Sequence, residues 1–204
     1  MKVQSSALSD VGLVRRENQD TSGHFPESNL FVVADGMGGH AGGKQASQMA
    51  VETIEECVAA ATLPVQGFDL DQVIARFLDA IKIANRRIVD RAATDTGLHK
   101  MGTTLVALLL DGKGSGAIIH IGDSRAYRLR GGELELLTTD HTLVSDLLKS
   151  NEISESEASE HPYRHVLTRA LGAAEDATAD VRKIDIAPDD LFVLCTDGIS
   201  GMVA

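Results

Sequence analysis

Apolar residues along this chain fall into short unbroken runs, and several of those runs stop at a carboxylate. Residues 30–34 are continuously apolar and end at Asp35, followed by five glycines within eight residues, the pattern of a buried strand leaving the core through a turn. The device recurs at residues 191–196, which lead into Asp197-Gly198. Residues 102–110 and 117–121 read as two more buried strands around a glycine-rich loop, the second ending at Gly122-Asp123. Residues 126–130 alternate, turn at Gly131-Gly132 and return through 133–137 as a hairpin. Strands are also expected at 180–187 and 190–196, with Pro188-Asp189 turning the chain between them, and at 1–8. Helical spacing covers 43–61 (Ala46, Met49, Ala50, Ile54, Cys57, Val58), breaks at 62–67, and resumes over 70–93 with Val73, Ile74, Phe77, Ile81, Ala84 and Ile88 on one face. Strands this close in sequence demand antiparallel pairing, and two helices after a strand suggest a helical layer on a sheet.

The remaining stretch, 143–164, is polar and acid-rich with few apolar anchors, and reads as short helices forming a mobile surface flap. At 204 residues the chain is long enough for one domain with a proper core, built from aliphatic side chains because Trp is absent. Net charge is 19 minus 30, or −11, which disfavours nucleic acid or an anionic membrane as general partner and suits carboxylates gathered around divalent metal. Cys57 and Cys195 lack disulfide or zinc spacing and are expected as buried thiols. No stretch approaches the 18 apolar residues of a membrane span, so a cytoplasmic, non-membrane protein is expected.

The chemistry sits where the apolar runs end. A carboxylate at the end of a dry strand needs a partner such as a cation, and Gly36, lacking a Cβ, lets its carbonyl approach one closely. Each acid alone is equally an ordinary turn residue. The recurrence at Asp197 could bring two carboxylates to one sheet edge, with Asp123 a third acid at a strand end. Residues 14–20 are either a solvated loop or a phosphate-binding arginine, Arg15, beside a metal-facing carboxylate, Asp20; an Arg fork matches phosphate geometry.

Taken together, these pieces resemble the metal-dependent protein phosphatase (PPM, or type 2C) family of Ser/Thr phosphatases. The matching pieces are Val14-Arg15 through Asn18-Gln19-Asp20, then Val33-Ala34-Asp35-Gly36-Met37-Gly38-Gly39, Met101-Gly102-Thr103-Thr104 and Gly122-Asp123-Ser124-Arg125. Asp140-His141-Thr142 and Cys195-Thr196-Asp197-Gly198 follow in the family's order. The wording around Gly38–Gly43 and His161–Val166 is similar to the bacterial branch. The resemblance implies an α+β fold, a four-layer α/β/β/α sandwich of two antiparallel sheets flanked by helices, as a single catalytic domain over 1–204 with a flap insertion at about 143–163. It implies that Asp35 bridges two Mn²⁺ or Mg²⁺ ions, that the Gly36 carbonyl and Asp197 each bind one, that Asp20 holds metal-associated water, and that Asp123 helps bind a third. Arg15 would hold the phosphate of a phosphorylated protein, the product of a Ser/Thr kinase. Two departures accompany it. Met37 stands where animal members carry a His proposed as general acid, with His40 nearby. The family also closes with a strand bearing a further Asp ligand, expected beyond Val203. On this reading the chain is C-terminally shortened, a monomer if complete, and its alternative is an inactive pseudo-phosphatase or phosphoprotein-binding module.

Overall fold

The computed structural model describes residues 2–59 and 69–202, the side chains of His40 and Ala59 excepted. The elements run β1 (Asp20–Phe25), β2 (Leu30–Met37), α1 (His40–Ile54), α2 (Leu70–Thr94), β3 (Gly102–Thr103), β4 (Leu105–Leu110) and β5 (Ser115–Ile121). They continue with β6 (Arg125–Arg130), β7 (Glu133–Leu136), α3 (Leu143–Lys149), α4 (Glu155–Glu160), β8 (Asp180–Asp185), β9 (Leu191–Cys195) and α5 (Asp197–Ser200). All pairing is antiparallel. One sheet has the order β1-β2-β4-β5-β8 with β3 added to β2, and a second has the order β7-β6-β9.

The unbroken apolar runs have a simple cause. Every residue of β4 is buried, because its two faces meet different apolar layers. Leu105, Ala107 and Leu109 pack with Ala46, Ala50 and Ile54 of α1 and with Val73, Phe77, Ile81 and Ile88 of α2. Val106, Leu108 and Leu110 pack with Ala126 and Leu137, and with Phe192 and Leu194 of the second sheet. Strands covered on both sides have no polar face to alternate with. Each large side chain fully buried here contributes about 1.5–3 kcal/mol.

Helices α1 and α2 cover the outer face of the larger sheet. The outer face of the smaller one carries Leu129, Leu134, Leu136, Leu191 and Val193 in register, exposed; among the described residues no helix lies over it. Residues 143–160 hold α3 and α4, the short helices expected there, and only Val144 and Ala158 of these two helices are buried. Ser154 and Glu157 cap α4 reciprocally. No helix of the described residues is long and apolar enough to cross a membrane.

Two expectations change. The strand expected at 1–8 is absent: residues 2–19 carry no strand, and Leu8 is 95% exposed. The first strand is β1, an edge strand of small and polar residues held by β2 and by the Thr21–Ser47 hydroxyl pair (2.8 Å) to α1. Secondly, the helix read over 43–61 starts at His40, and its last turn widens to a π-helix at Glu55–Ala59; positions 60 and 61 and the break at 62–67 lie outside the described residues. Pro188-Asp189 turns the chain as expected, and the strands on either side of it belong to different sheets. β8 pairs with β5 and β9 with β6, and Arg130 braces the crossing by paired contacts of 2.7 Å to Asp185 and to the buried Asp190.

Candidate active site

Both sheets deliver acids to one edge. Asp20 opens β1 directly across from Asp35 on β2, so register alone places these two carboxylates side by side. Asp197 follows β9 of the other sheet, and the preceding Thr196 hydroxyl donates to Asp20 Oδ2 at 2.9 Å, tying the sheets together. Asp35 lies within hydrogen-bond reach of both Asp20 and Asp197. Its carboxyl is pushed from 3.8 up to about 8, first by burial and then by the charges of those two neighbours. Asp123, at the end of β5, is pushed up to about 6 by burial and then by Asp197 and Asp140. Carboxylates held this close in a half-buried site call for compensating positive charge.

The motifs that surround these acids are their sockets. The Asp35 N–H donates to Thr104 Oγ1 (3.0 Å), while the Asp35 carbonyl accepts from Thr103 Oγ1 (2.8 Å) and Thr104 N (2.9 Å). Thr104 Oγ1 also pairs with Ser124 Oγ at 2.7 Å, linking the Asp35 strand to the Asp123 turn. Gly122 sits at φ +104°, and a Cβ there would lie 2.6 Å from Thr104 Cγ2. Gly36 has no space for a side chain: its Cβ would fall 2.0 Å from the Gly43 carbonyl oxygen, where α1 meets β2 backbone to backbone. Thr104→Val is therefore expected to cost about 1–3 kcal/mol by leaving buried polar groups unpaired, and to weaken metal-dependent activity. Denaturant melts alongside Mn²⁺ titrations check both effects, and a variant as stable as the parent contradicts the socket role.

A cleft of about 660 Å³ opens in front of these acids. Among the residues expected from the sequence, Arg15, Asp35, Gly36, Asp123 and Asp197 line it, while Asp20 adjoins it as the strand partner of Asp35. Arg15 is exposed and forms no ion pair with a described residue, which leaves its guanidinium available. Arg16 lines the cleft as well and is exposed, whereas Arg125 is held by Asp140 (Nε–Oδ1 3.0 Å, Nη2–Oδ2 2.7 Å). Met37 lines the cleft, whereas the side chain of His40 is outside the described set. Sequence reasoning missed His165 and Leu167, which also line the cleft. His165 falls in the His161–Val166 stretch noted above for its wording, but nothing in that stretch marked it as a cleft residue.

Comparison with known proteins places this geometry in a family. Residues 15–204 match the family described as Protein phosphatase 2C. The serine/threonine phosphatase stp of Listeria welshimeri is 36% identical over 197 residues, covering 95% of this chain and 77% of that protein. The solved S. agalactiae serine/threonine phosphatase superposes with a TM-score of 0.87 at 32% identity, covering 97% of this chain and 80% of the other. The catalytic domain of PstP, solved in complex with two manganese ions, gives a TM-score of 0.83 at 34% identity, covering 98% of this chain and 79% of the other. Two antiparallel sheets, acids at their shared edge and relatives aligned over nearly the whole chain lead to one assignment: the chain belongs to the protein phosphatase 2C family of serine/threonine phosphatases.

Proposed function

We propose that this chain hydrolyses phosphoserine and phosphothreonine in proteins with the help of divalent metal. The observation that carries the reading is the convergence of Asp20, Asp35 and Asp197 from two sheets, with the Asp35 carboxyl driven up to about 8 by burial and by its neighbours. An all-oxygen donor set of this kind suits Mn²⁺ or Mg²⁺. Asp35, the Gly36 carbonyl, Asp197 and Asp20 are the residues that would hold two such ions, and Asp123 would contribute to a third. Ions bound there supply the Lewis acidity that makes water a usable nucleophile near neutral pH and offset the charge of the phosphate.

The chain's own contributions are positioning and charge. Arg15 faces the cleft and holds two phosphate oxygens through its fork, orienting the phosphorus towards the acids. Water's oxygen bonds to phosphorus as the bond to the Ser or Thr oxygen breaks, and the departing oxygen takes a proton. Met37 cannot donate that proton, so solvent supplies it in this open cleft. The substrates are phosphoproteins made by a Ser/Thr kinase, with residues 143–163 as a flap beside the cleft and the cytoplasm as the place of action. No observation at the site favours an inactive binding module, since Asp20, Asp35, Asp123 and Asp197 are all gathered there.

Hydrolysis of p-nitrophenyl phosphate and of a phosphothreonine peptide, with Mn²⁺ and with chelator, tests the reading. Activity that is absent with Mn²⁺, or indifferent to chelator, overturns it. Arg15→Lys is expected to lower kcat/KM by at least about tenfold, since a point charge cannot replace a bidentate fork, while the melting temperature stays unchanged because Arg15 is exposed. Unaltered kcat/KM removes Arg15 from phosphate binding.

A further inference from the structure

Behind Asp123 lies a group that the proposed reaction does not use: the buried His120 and His141 and the half-exposed Asp180, whose ligand-type atoms lie within 4.8 Å of one another. Their hydrogen bonds decide against a metal ion there. Gly122 N–H donates to His141 Nδ1 at 3.1 Å, so the lone pair is at Nδ1 and the ring proton is on Nε2. That Nε2 faces Asp180 Oδ2 at 3.4 Å and therefore has no lone pair for a cation. The two imidazoles also stack, centroids 4.6 Å apart, instead of converging on a point.

What the group does hold is the Gly122-Asp123 turn. His141 grips Gly122 twice: its backbone N–H donates to the Gly122 carbonyl at 3.0 Å, and its ring accepts the Gly122 N–H. The ring itself is wedged in place. His120 stacks on one face and is fixed by donating from Nε2 to the Thr139 carbonyl (2.9 Å). Asp180 is fixed at the far end by Arg169 (2.6 Å). Gly122 has a positive φ and is pressed against Thr104, so the turn has no freedom on its other side. The His141 carbonyl also accepts from Thr168 N at 2.9 Å, connecting the turn to the wall that carries Leu167.

We infer that His141 is a positioning residue for Asp123, setting the direction from which that carboxylate enters the metal site by clamping both polar groups of Gly122. The inference rests on the reading of Asp123 as a ligand. Two variants separate positioning from packing. His141→Asn keeps an acceptor where Nδ1 stands, whereas His141→Gln places its amide at the position of Nε2 and leaves the Gly122 N–H without a partner.

The measurement is Mn²⁺ binding to the whole chain, counted from the electron paramagnetic resonance signal of free Mn²⁺, with Asp123→Ala defining the ion that depends on Asp123. For that ion, His141→Gln is expected to weaken affinity by at least about tenfold, as residues that orient metal ligands do; His141→Asn should resemble the parent, and the other ions should be unaffected. In the Asp123→Ala background, His141→Gln should change nothing further. Equal binding by the Gln and Asn variants overturns the inference, as does a Gln effect that persists without Asp123 or a failure of both variants to fold. If Asp123→Ala itself leaves Mn²⁺ binding unaltered, the ligand reading falls and this inference with it; if only the His141 variants are silent, the ligand reading stands alone.

Discussion

Asp35→Asn is expected to reduce Mn²⁺-dependent hydrolysis by more than about a hundredfold, beyond the 10–100-fold that loss of a mere orienting partner costs. The same substitution should make the chain less sensitive to pH in chelator. The Asp35 carboxyl titrates at 3.8 ordinarily and at about 8 in the fold, so between those values the folded protein holds a proton that the unfolded chain has released. Stability in chelator therefore falls as pH rises from about 4 to about 8, and below that window the two states are equally protonated and the slope vanishes. Asp123 adds a smaller fall ending near pH 6. Asn carries no proton to lose, so the larger part of the slope should disappear. Urea melts from pH 4 to 9 with EDTA, run beside activity assays at saturating Mn²⁺, measure both effects. A variant with near-parent activity, or an unchanged slope, contradicts the central place given to Asp35.

Gly36→Ala and Gly198→Ala should behave very differently, although both alter an Asp-Gly pair at the end of an apolar run. At Gly36 the new methyl would meet the Gly43 carbonyl oxygen at 2.0 Å and Gln19 O at 2.8 Å, both backbone atoms that cannot swing aside. The cost should reach about 3 kcal/mol, the upper part of the overpacking range, with loss of activity as β2 is pushed from α1. At Gly198 the nearest atom is Thr196 Oγ1 at 3.8 Å, an ordinary contact, so the change in stability should stay within about 0.5 kcal/mol. Equal destabilisation of the two variants in denaturant melts would refute the backbone-contact argument.

That pair also marks how far the sequence could be read. Asp35 and Asp123 were legible because each closes an apolar run buried on two faces, in β2 and β5, whereas the run before Asp197 in β9 has an exposed outer face and was legible as a second apolar run ending in Asp-Gly. β1 was not, since an edge strand reading Asp-Thr-Ser-Gly-His-Phe buries little beyond Gly23 and takes its register from β2. Asp20 therefore stood out only through its company with Arg15. The crossing from β8 to β9 was hidden for a different reason: Pro188-Asp189 serves a hairpin and a change of sheet alike, and Arg130, 60 residues from Asp190, settles which occurs. The clamp by His141 on Gly122 spans 19 residues and involves a main-chain N–H that no side-chain pattern reveals.

The hydrogen bond between Thr196 and Asp20 joins positions 176 apart. Contacts so distant in sequence form after local ones, because the intervening chain must first be ordered. During synthesis, then, the larger sheet can assemble on its helices while its acids still lack their counterpart from β9. A nascent chain halted before Asp197 carries Asp20 and Asp35 without the group that completes their edge. The acidic edge is thus completed only when β9 has paired with β6 and Thr196 has met Asp20.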